Sequence, residues 1–497
     1  LLDHRTSAVL LLLFAVMAQT PAPQFKSGVD VVRFDVVVLD KARHPIAGLT
    51  VDDFHVAENG KPLRIAGFQA VTILAGRSAP PPSSSVVDPR VDTVRNQRLV
   101  PGRLVVIVLD RTIPYEWATS NARAIANAAI DSLGPNDFAA VVFTSGLPIG
   151  RPQGFTNNRD HLRAAVASLQ MGTPTNVDMS FAGLKRGGPH YNEGECFCGL
   201  CTIEALTRIA SSLAPVQDYH KMMLFIGDDV ALSQNSGLAS SADCKGRTQD
   251  AAGKLFSVLD RGNVTIHAFD PRGIEESGST ADNTPPESAD SRQRRTGDLA
   301  TLPDYTGGRL ITNTNEPARL VPGIFEESRT YYVLALERAP ATKAGRPHTI
   351  DVRVDRNDAT VLSRRTYLDS PPETAKTPPA DPLERAIEEL LPRTDIPLQM
   401  RLEPSAVKGS SVDVTFSTPR TAPARADVLI GVFDQFAKQV GIERAQVDLP
   451  ARGDGSDVEW KMRLNPKPGR YEIRAAVRIG EQIGSVVGYV EVAKPRQ

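Results

Sequence analysis

The feature that most constrains this chain is a pattern that starts near Arg103. Apolar runs alternate with segments of helical spacing. Residues 104–109 (LVVIVL) contain no polar side chain, which is what a strand covered on both faces requires. Residues 117–133 carry apolar positions at helical spacing, and Gly134-Pro135 stops them. The runs DFAAVVFTS, KMMLFIGDD and VTIHAFD repeat the strand signal. NRDHLRAAVASLQ, CTIEALTRIASSLAP and AAGKLFSVLDRGN repeat the helical one, and DLATLPDYTGGRLI adds a helix, a turn and a strand. Strands separated by helices demand right-handed crossovers, so the pattern predicts an α/β fold with a doubly wound, mostly parallel sheet.

The flanks are different. With 497 residues the chain is long enough for about three domains. Before the α/β pattern, residues 19–75 predict a small β module, with strand-like residues 29–39, Phe54 and Val56, and the hairpin signal Asn59-Gly60. Residues 76–100 read as a linker on their Pro and Ser content. A polar, Pro/Ser-rich insertion is expected near 276–295. Beyond Arg329, TYYVLALER, HTIDVRVDR and ATVLSRRTYLD are strands that extend the core or form an adjoining sheet. A second linker is expected at 370–382. Residues 383–497 predict a C-terminal β domain of sandwich type, because short strands follow one another between turn residues.

The first twenty residues, LLDHRTSAVLLLLFAVMAQT, place Arg5 ahead of an apolar run that ends at Val16-Met17-Ala18. Those are the parts of a signal peptide, expected at 1–18. The run is about ten residues where a membrane span needs ~20; a short retained anchor is the alternative. The mature protein is therefore expected to be secreted or periplasmic, without a membrane span. Formal net charge is −1, with both signs spread along the chain. That excludes an electrostatic footprint for nucleic acid.

Two of the apolar runs end in carboxylates: Asp110 after the first, Asp228 and Asp229 after MLFIG. In a doubly wound sheet, ligands sit outside the carboxyl ends of the strands. Two strands delivering acids to that edge suit a hard divalent cation such as Mg2+, which takes oxygen ligands and needs only one or two carboxylates. Thr112 and Thr175 are candidate hydroxyl donors. The alternative is that each acid caps the helix that follows.

Four passages carry a resemblance. They are VLDKARHPIAGLTVDDFHVAENGKPLRIAGF; LVVIVLDRT with LGPNDFAAVVFTS; MMLFIGDD; and LATLPDYTGGRLITNTNE running into EESRTYYVLAL and GRPHTIDVRV. Together they resemble the VWFA-related family of secreted bacterial proteins common in Acidobacteria, with a von Willebrand factor A (VWA) domain. The likeness runs from about Val29 to Asp369, with the VWA-like domain at 101–369; the C-terminal β domain lies outside it. It implies a Rossmann-like core with a metal-ion-dependent adhesion site. The family's Asp-x-Ser-x-Ser falls on Asp110, Thr112 and Pro114, so one hydroxyl position is lost. Its threonine falls on Thr175, with Thr173 as rival. Its last acid falls on Asp228, with Asp229 where glycine is usual. Arg111 is a candidate replacement for the cation's charge.

YNEGECFCGLC holds Cys196, Cys198 and Cys201, and Cys244 follows some way on. An even count in an exported chain suggests disulfides, and four cysteines allow three pairings. A four-cysteine zinc site favours paired Cys-x-x-Cys units, and only one such spacing is present; a redox pair is the other alternative. The catalytic signatures Gly-x-Ser-x-Gly and His-Glu-x-x-His are absent, Gly253-Lys254 lacks the rest of a phosphate loop, and His220 and His267 read as core or edge residues. Arg452-Gly453-Asp454, with Gly455 next, reads as a turn. The expected function is non-enzymatic: an exported adhesion-type protein that binds a protein ligand at the top of the sheet, through Mg2+ at Asp110, Thr112, Thr175 and Asp228. A metal-assisted hydrolase and a structural envelope component with a non-functional metal site are the alternatives.

Overall fold

The computed structural model describes residues 30–73, 92–96, 102–110, 113, 116–144, 151–170, 200–216, 219–230, 232, 242–274, 289–338, 346–369, 381–404, 411–434, 438–452, 454 and 456–493. The architecture is mixed α/β. Thr112, Pro114, Thr173, Thr175, Cys196 and Cys198, the expected signal peptide and the linker at 370–380 lie outside the described residues, as does the side chain of Cys244.

The first strands are β1 (Asp30–Leu39), β2 (Phe54–Glu58), β3 (Lys61–Leu63) and β4 (Ile65–Thr72). They do not form a module by themselves. β12 (Thr330–Arg338) returns from far along the chain and lies antiparallel between β1 and β4, and β14 (Thr360–Leu362) completes a four-stranded sheet. β13 (Pro347–Val354) joins β2 and β3, with β15 (Thr366–Leu368) outside it, in a second sheet. Phe34, Val36, Leu49, Phe54, Tyr332, Leu334 and Ile350 form the core between the two. This corrects the expected domain bounds at 75 and 369. The sandwich is built from both flanks, because a strand set this small cannot cover its own apolar face.

Between β4 and β12 the chain builds the α/β core. Its sheet has the order β11-β10-β9-β6-β7-β8, with β6 (Arg103–Leu109), β7 (Phe138–Phe143), β8 (Gln153–Thr156), β9 (His220–Ile226), β10 (Val264–Phe269) and β11 (Leu310–Ile311). β11, β10, β9, β6 and β7 run parallel, and β8 is antiparallel. Alternate residues of β6 divide between two cores. Val105, Ile107 and Leu109 pack with α1 (Glu116–Ser132), α2 (Arg159–Ala167) and α6 (Val321–Glu327). Leu104, Val106 and Val108 pack with α3 (Leu200–Leu213), α4 (Ala242–Gly262) and α5 (Ala289–Thr306). Burial on both faces is why these strands read as continuous apolar runs. α5 begins inside the expected polar insertion: its second half buries Leu299 and Leu302, and that anchorage carries the polar first turns as helix.

The expected linker at 76–100 also contains structure. β5 (Asp92–Arg95) is the edge strand of a C-terminal sheet ordered β20-β17-β16-β5, where β16 is Gln399–Pro404, β17 Val412–Pro419 and β20 Asp457–Leu464. Opposite lies β19-β18-β21-β22, with β18 Ala424–Asp434, β19 Gln439–Leu449, β21 Gly469–Ile479 and β22 Gln482–Val492. The two enclose a core of Met400, Val414, Phe416, Ile430, Ile473 and Val490. A short helix, α7 (Pro382–Glu388), lays Leu383 and Ile387 on the outer face of the second sheet.

The amino edge of the α/β sheet is docked on the first sandwich. His220, which opens β9, places Nδ1 2.8 Å from Asp35 Oδ2 on β1. Asn263, just before β10, accepts from the Arg364 guanidinium at 2.6 Å. Glu327 at the end of α6 binds both Arg43 and Arg309. The opposite, carboxyl edge is where the expected site lies.

Candidate metal and ligand site

Three neighbouring parallel strands deliver an acid to the carboxyl edge. Asp110 follows β6, Asp228 follows β9 after one glycine, and Asp270 follows β10. The strand register sets Leu109 beside Ile226 and Ile226 beside Phe269. Asp110 and Asp228 therefore share one edge, on adjacent strands. Asp270 escaped the sequence reading, although the run VTIHAF ahead of it carries the same signal as the other two.

Asp110 is 1% exposed. Its amide donates to Ile226 O at 2.9 Å, which ties the end of β6 to β9. Its Oδ1 accepts from the Thr144 hydroxyl and, at 2.9 Å, from the Thr202 hydroxyl. Both threonines are buried. Neither was anticipated. Thr144 was legible in principle, since it follows β7 directly as Asp110 follows β6, and Leu109 pairs with Phe143. Thr202 comes from the first turn of α3, next to Cys201, and only the fold brings it to the strand end. Cys201 is buried and disulfide-bonded, so a covalent tie lies next to the hydroxyl that orients Asp110.

Gly227 makes the approach of β9 possible. A Cβ at this position would stand 2.6 Å from Asp110 Cβ and 3.1 Å from the Phe225 ring. The backbone leading into Asp228 is thereby pressed against Asp110. Beyond it stands Arg272, 3% exposed. Its Nε and Nη2 grip Asp270 at 3.0 and 2.7 Å, and its Nη1 lies 3.7 Å from Asp228 Oδ2. The guanidinium thus offsets part of the acidity of the edge. Asp229 is pushed up to about 7, chiefly by burial and then by Asp228 and Asp298.

These donors suit a hard cation. They are carboxylate and hydroxyl oxygens, and the glycine contact holds two of the strand ends close. Among the described residues no group of three or more His, Cys, Asp or Glu side chains could hold a metal. A cation here would draw on two protein carboxylates, with hydroxyls and water for the remainder, as Mg2+ tolerates.

No protein-family model matches the chain, and no curated protein matches it. Among solved structures there is a weak likeness to the manganese-loaded TRAP protein of Plasmodium vivax: 11% identity over 55% of this chain and 96% of that one, with a TM-score of 0.25. Red sea bream transglutaminase is similar over 20% of this chain and 17% of its own, at 15% identity and a TM-score of 0.16. A β-glucosidase of Listeria innocua, in complex with isofagomine, is similar over 82% of this chain and 49% of its own, at 12% identity and a TM-score of 0.16. No described helix is long and apolar enough to cross a membrane. At such scores none of these likenesses carries an argument, and what the site can do follows from its own strand order and side chains.

Proposed function

We propose that residues 103–329 form a doubly wound VWA-type core and that the protein is an exported, non-enzymatic adhesion-type binder. Its protein ligand would meet the carboxyl edge of the sheet. The observation that carries this reading is the convergence of Asp110, Asp228 and Asp270 on three adjacent strands, at the edge opposite the sandwich junction. Such an edge is where open α/β sheets receive ligands.

Asp110 and Asp228 would hold Mg2+, with Thr112 and Thr175 as candidate hydroxyl donors. The cation would supply an acceptor for a ligand carboxylate. Thr144 and Thr202 orient Asp110, and Gly227 sets its distance from β9. The disulfide at Cys201 supports export, since such bonds persist in oxidising compartments. A second reading has its own observation: Arg272 stands 3.7 Å from Asp228, so the guanidinium would take the cation's place and the edge would serve a structural envelope component.

Calorimetric titration with Mg2+ and Mn2+ separates the two. Adhesion through a metal predicts saturable heat that Asp110→Ala abolishes, and capture of a partner from envelope extract that a chelator releases. Absence of heat in the parent protein, with capture indifferent to chelator and to Asp228→Ala, sinks the metal-dependent reading.

A further inference from the structure

β10 runs straight into Asp270-Pro271-Arg272-Gly273. The turn brings Arg272 back over the acid two residues before it. Its amide and its Nε both donate to Asp270 Oδ1 at 3.0 Å, and its Nη2 donates to Oδ2 at 2.7 Å. A guanidinium that engages both oxygens of a carboxylate is the strong form of such a pair. The backbone beneath it is fixed as well. The Asp270 amide donates to Ile311 O at 2.9 Å. Asn121 donates to Pro271 O at 2.9 Å, and the Ile274 amide donates to Asn315 Oδ1 at 2.9 Å. Gly273 sits at φ +78°, where a residue without a Cβ is unstrained.

The third guanidinium nitrogen, Nη1, lies 3.7 Å from Asp228 Oδ2. That is just beyond hydrogen-bond length, and a shift of about 1 Å would close it. The side chains are nearly dry: 4% exposed for Arg272, 10% for Asp270 and 15% for Asp228. Charges so placed are poorly screened by salt. A divalent cation on Asp228 meets a fixed positive charge beside it. A guanidinium resting on Asp228 would displace the cation altogether.

We propose that Asp270 decides between these states: by gripping Arg272 it holds the guanidinium off Asp228, and so sets how tightly the edge binds a divalent cation. This rests on the metal-dependent reading of Asp110 and Asp228, and it gives the third acid of the edge a role apart from coordination. The alternative is a plain sum of charges, in which Asp270 attracts the cation and Arg272 repels it independently. The geometry favours coupling, because Asp270 already accepts from the amide, Nε and Nη2 of Arg272.

A double-mutant cycle separates the two. Asn at position 270 keeps an acceptor but loses the charge that grips. Asp270→Asn should therefore lower the calorimetric Mg2+ affinity about tenfold, equivalent to about 1.4 kcal/mol, and Arg272→Gln should raise it. In the Arg272→Gln background, Asp270→Asn should change affinity by less than about twofold, since no guanidinium is left to release. A second cycle needs no metal and still decides if Arg272→Gln does not fold. In chelator, Asp228→Asn should lower the urea midpoint more in the Asp270→Asn protein than in the parent, because Asp228 has there become the main partner of Arg272. Mg2+ heat in the parent with equal fold-changes in both backgrounds, or equal midpoint shifts in chelator, overturns the role of Asp270 and leaves the metal site standing. So does Mg2+ heat that appears only in Arg272→Gln, since the guanidinium is then not held off. An Asp270→Asn protein that fails to fold overturns it too, because Asp228 has not taken over the guanidinium. If neither the parent nor Arg272→Gln gives Mg2+ heat, the metal-dependent reading fails and takes the role of Asp270 with it.

Discussion

Replacing Arg364 by alanine should loosen the core from the first sandwich, by an amount that depends on pH. The Arg364 guanidinium donates at 3.0 Å to both the backbone oxygen and Oδ1 of Asp260, and at 2.6 Å to Asn263. Asp260 Oδ2 also accepts from Tyr305 at 2.7 Å and from the Leu368 amide at 2.8 Å. Both partners are nearly dry, with side-chain exposures of 6% and 7%. Removing one member of a buried pair leaves the other charge uncompensated and costs about 3–5 kcal/mol. Burial already raises the Asp260 pKa, and Arg364 is the foremost group opposing that. In Arg364→Ala the carboxyl therefore moves further up. An acid whose folded pKa exceeds its unfolded value binds more protons when folded, so stability is lost as pH rises through the folded pKa. The variant's deficit should be near its full size at pH 8 and clearly smaller at pH 5. Urea unfolding at the two values, followed by tryptophan emission, measures it. Asp260→Asn in the same background should recover much of the loss, because the amide keeps an acceptor without the charge. A deficit under about 1 kcal/mol, the range of an exposed ion pair, or one equal at both pH values, would refute the reasoning.

His267 supplies an acid-sensitivity of opposite origin: burial, with help from His220 and Arg309, lowers its pKa to about 3, and its Nδ1 accepts from the Arg309 amide at 3.1 Å. The folded protein thus excludes a proton that the unfolded chain binds at 6.5, so stability is lost as pH falls. The expected loss between pH 7 and 5 is about 2 kcal/mol relative to His267→Gln, and parallel pH curves for the two proteins would count against it. Gly227→Ala should cost about 1–3 kcal/mol through overpacking and weaken Mg2+ heat, because its Cβ would meet Asp110 at 2.6 Å. Gly246→Ala, on α4 with nothing within 4 Å, should instead stabilise by roughly 0.5–1 kcal/mol; thermal melts of the pair test both signs.

The core elements were legible where one rule decided them. β6, β9 and β10 are buried on both faces; β6 and β9 show as apolar runs over 104–109 and 222–226, and β10 as a shorter one broken by Thr265 and His267. Asn158 at the start of NRDHLRAAVASLQ caps α2: its side chain accepts from the amides of Asp160 and His161. What escaped was pairing decided elsewhere. β5 and β8 have four residues each, too few for any periodicity; β5 owes its place to a distant partner, whereas β8 pairs antiparallel with its chain neighbour β7. β5 is held by β16. Gly154 of β8 lies where a Cβ would collide with the Tyr489 hydroxyl. β19 escaped for another reason: it is a sheet edge with most of its side chains in solvent, and its apolar alternation changes phase between Ile442 and Ala445. At the site, Asp110 and Asp228 follow from strand ends alone, whereas Thr202 requires the fold.

The split sandwich explains why the α/β core sits as it does. β12 leaves α6 and enters the sheet between β1 and β4, so the chain that ends the core is the chain that closes the sandwich. The core is thereby tied to the sandwich at its exit, with the amino ends of its strands toward β1 and the loops of β13–β15, while the chain that enters it first pairs as β5 with β16 of the C-terminal sheet. Five of its six strands are parallel, so the carboxyl ends of β6, β7, β9, β10 and β11 come out at the far edge together. The acids gather there because tether and strand direction leave that edge as the one turned away from the sandwich. A ligand can therefore be met without disturbing the pairs that Asp35, Asp260 and Glu327 form at the sandwich junction.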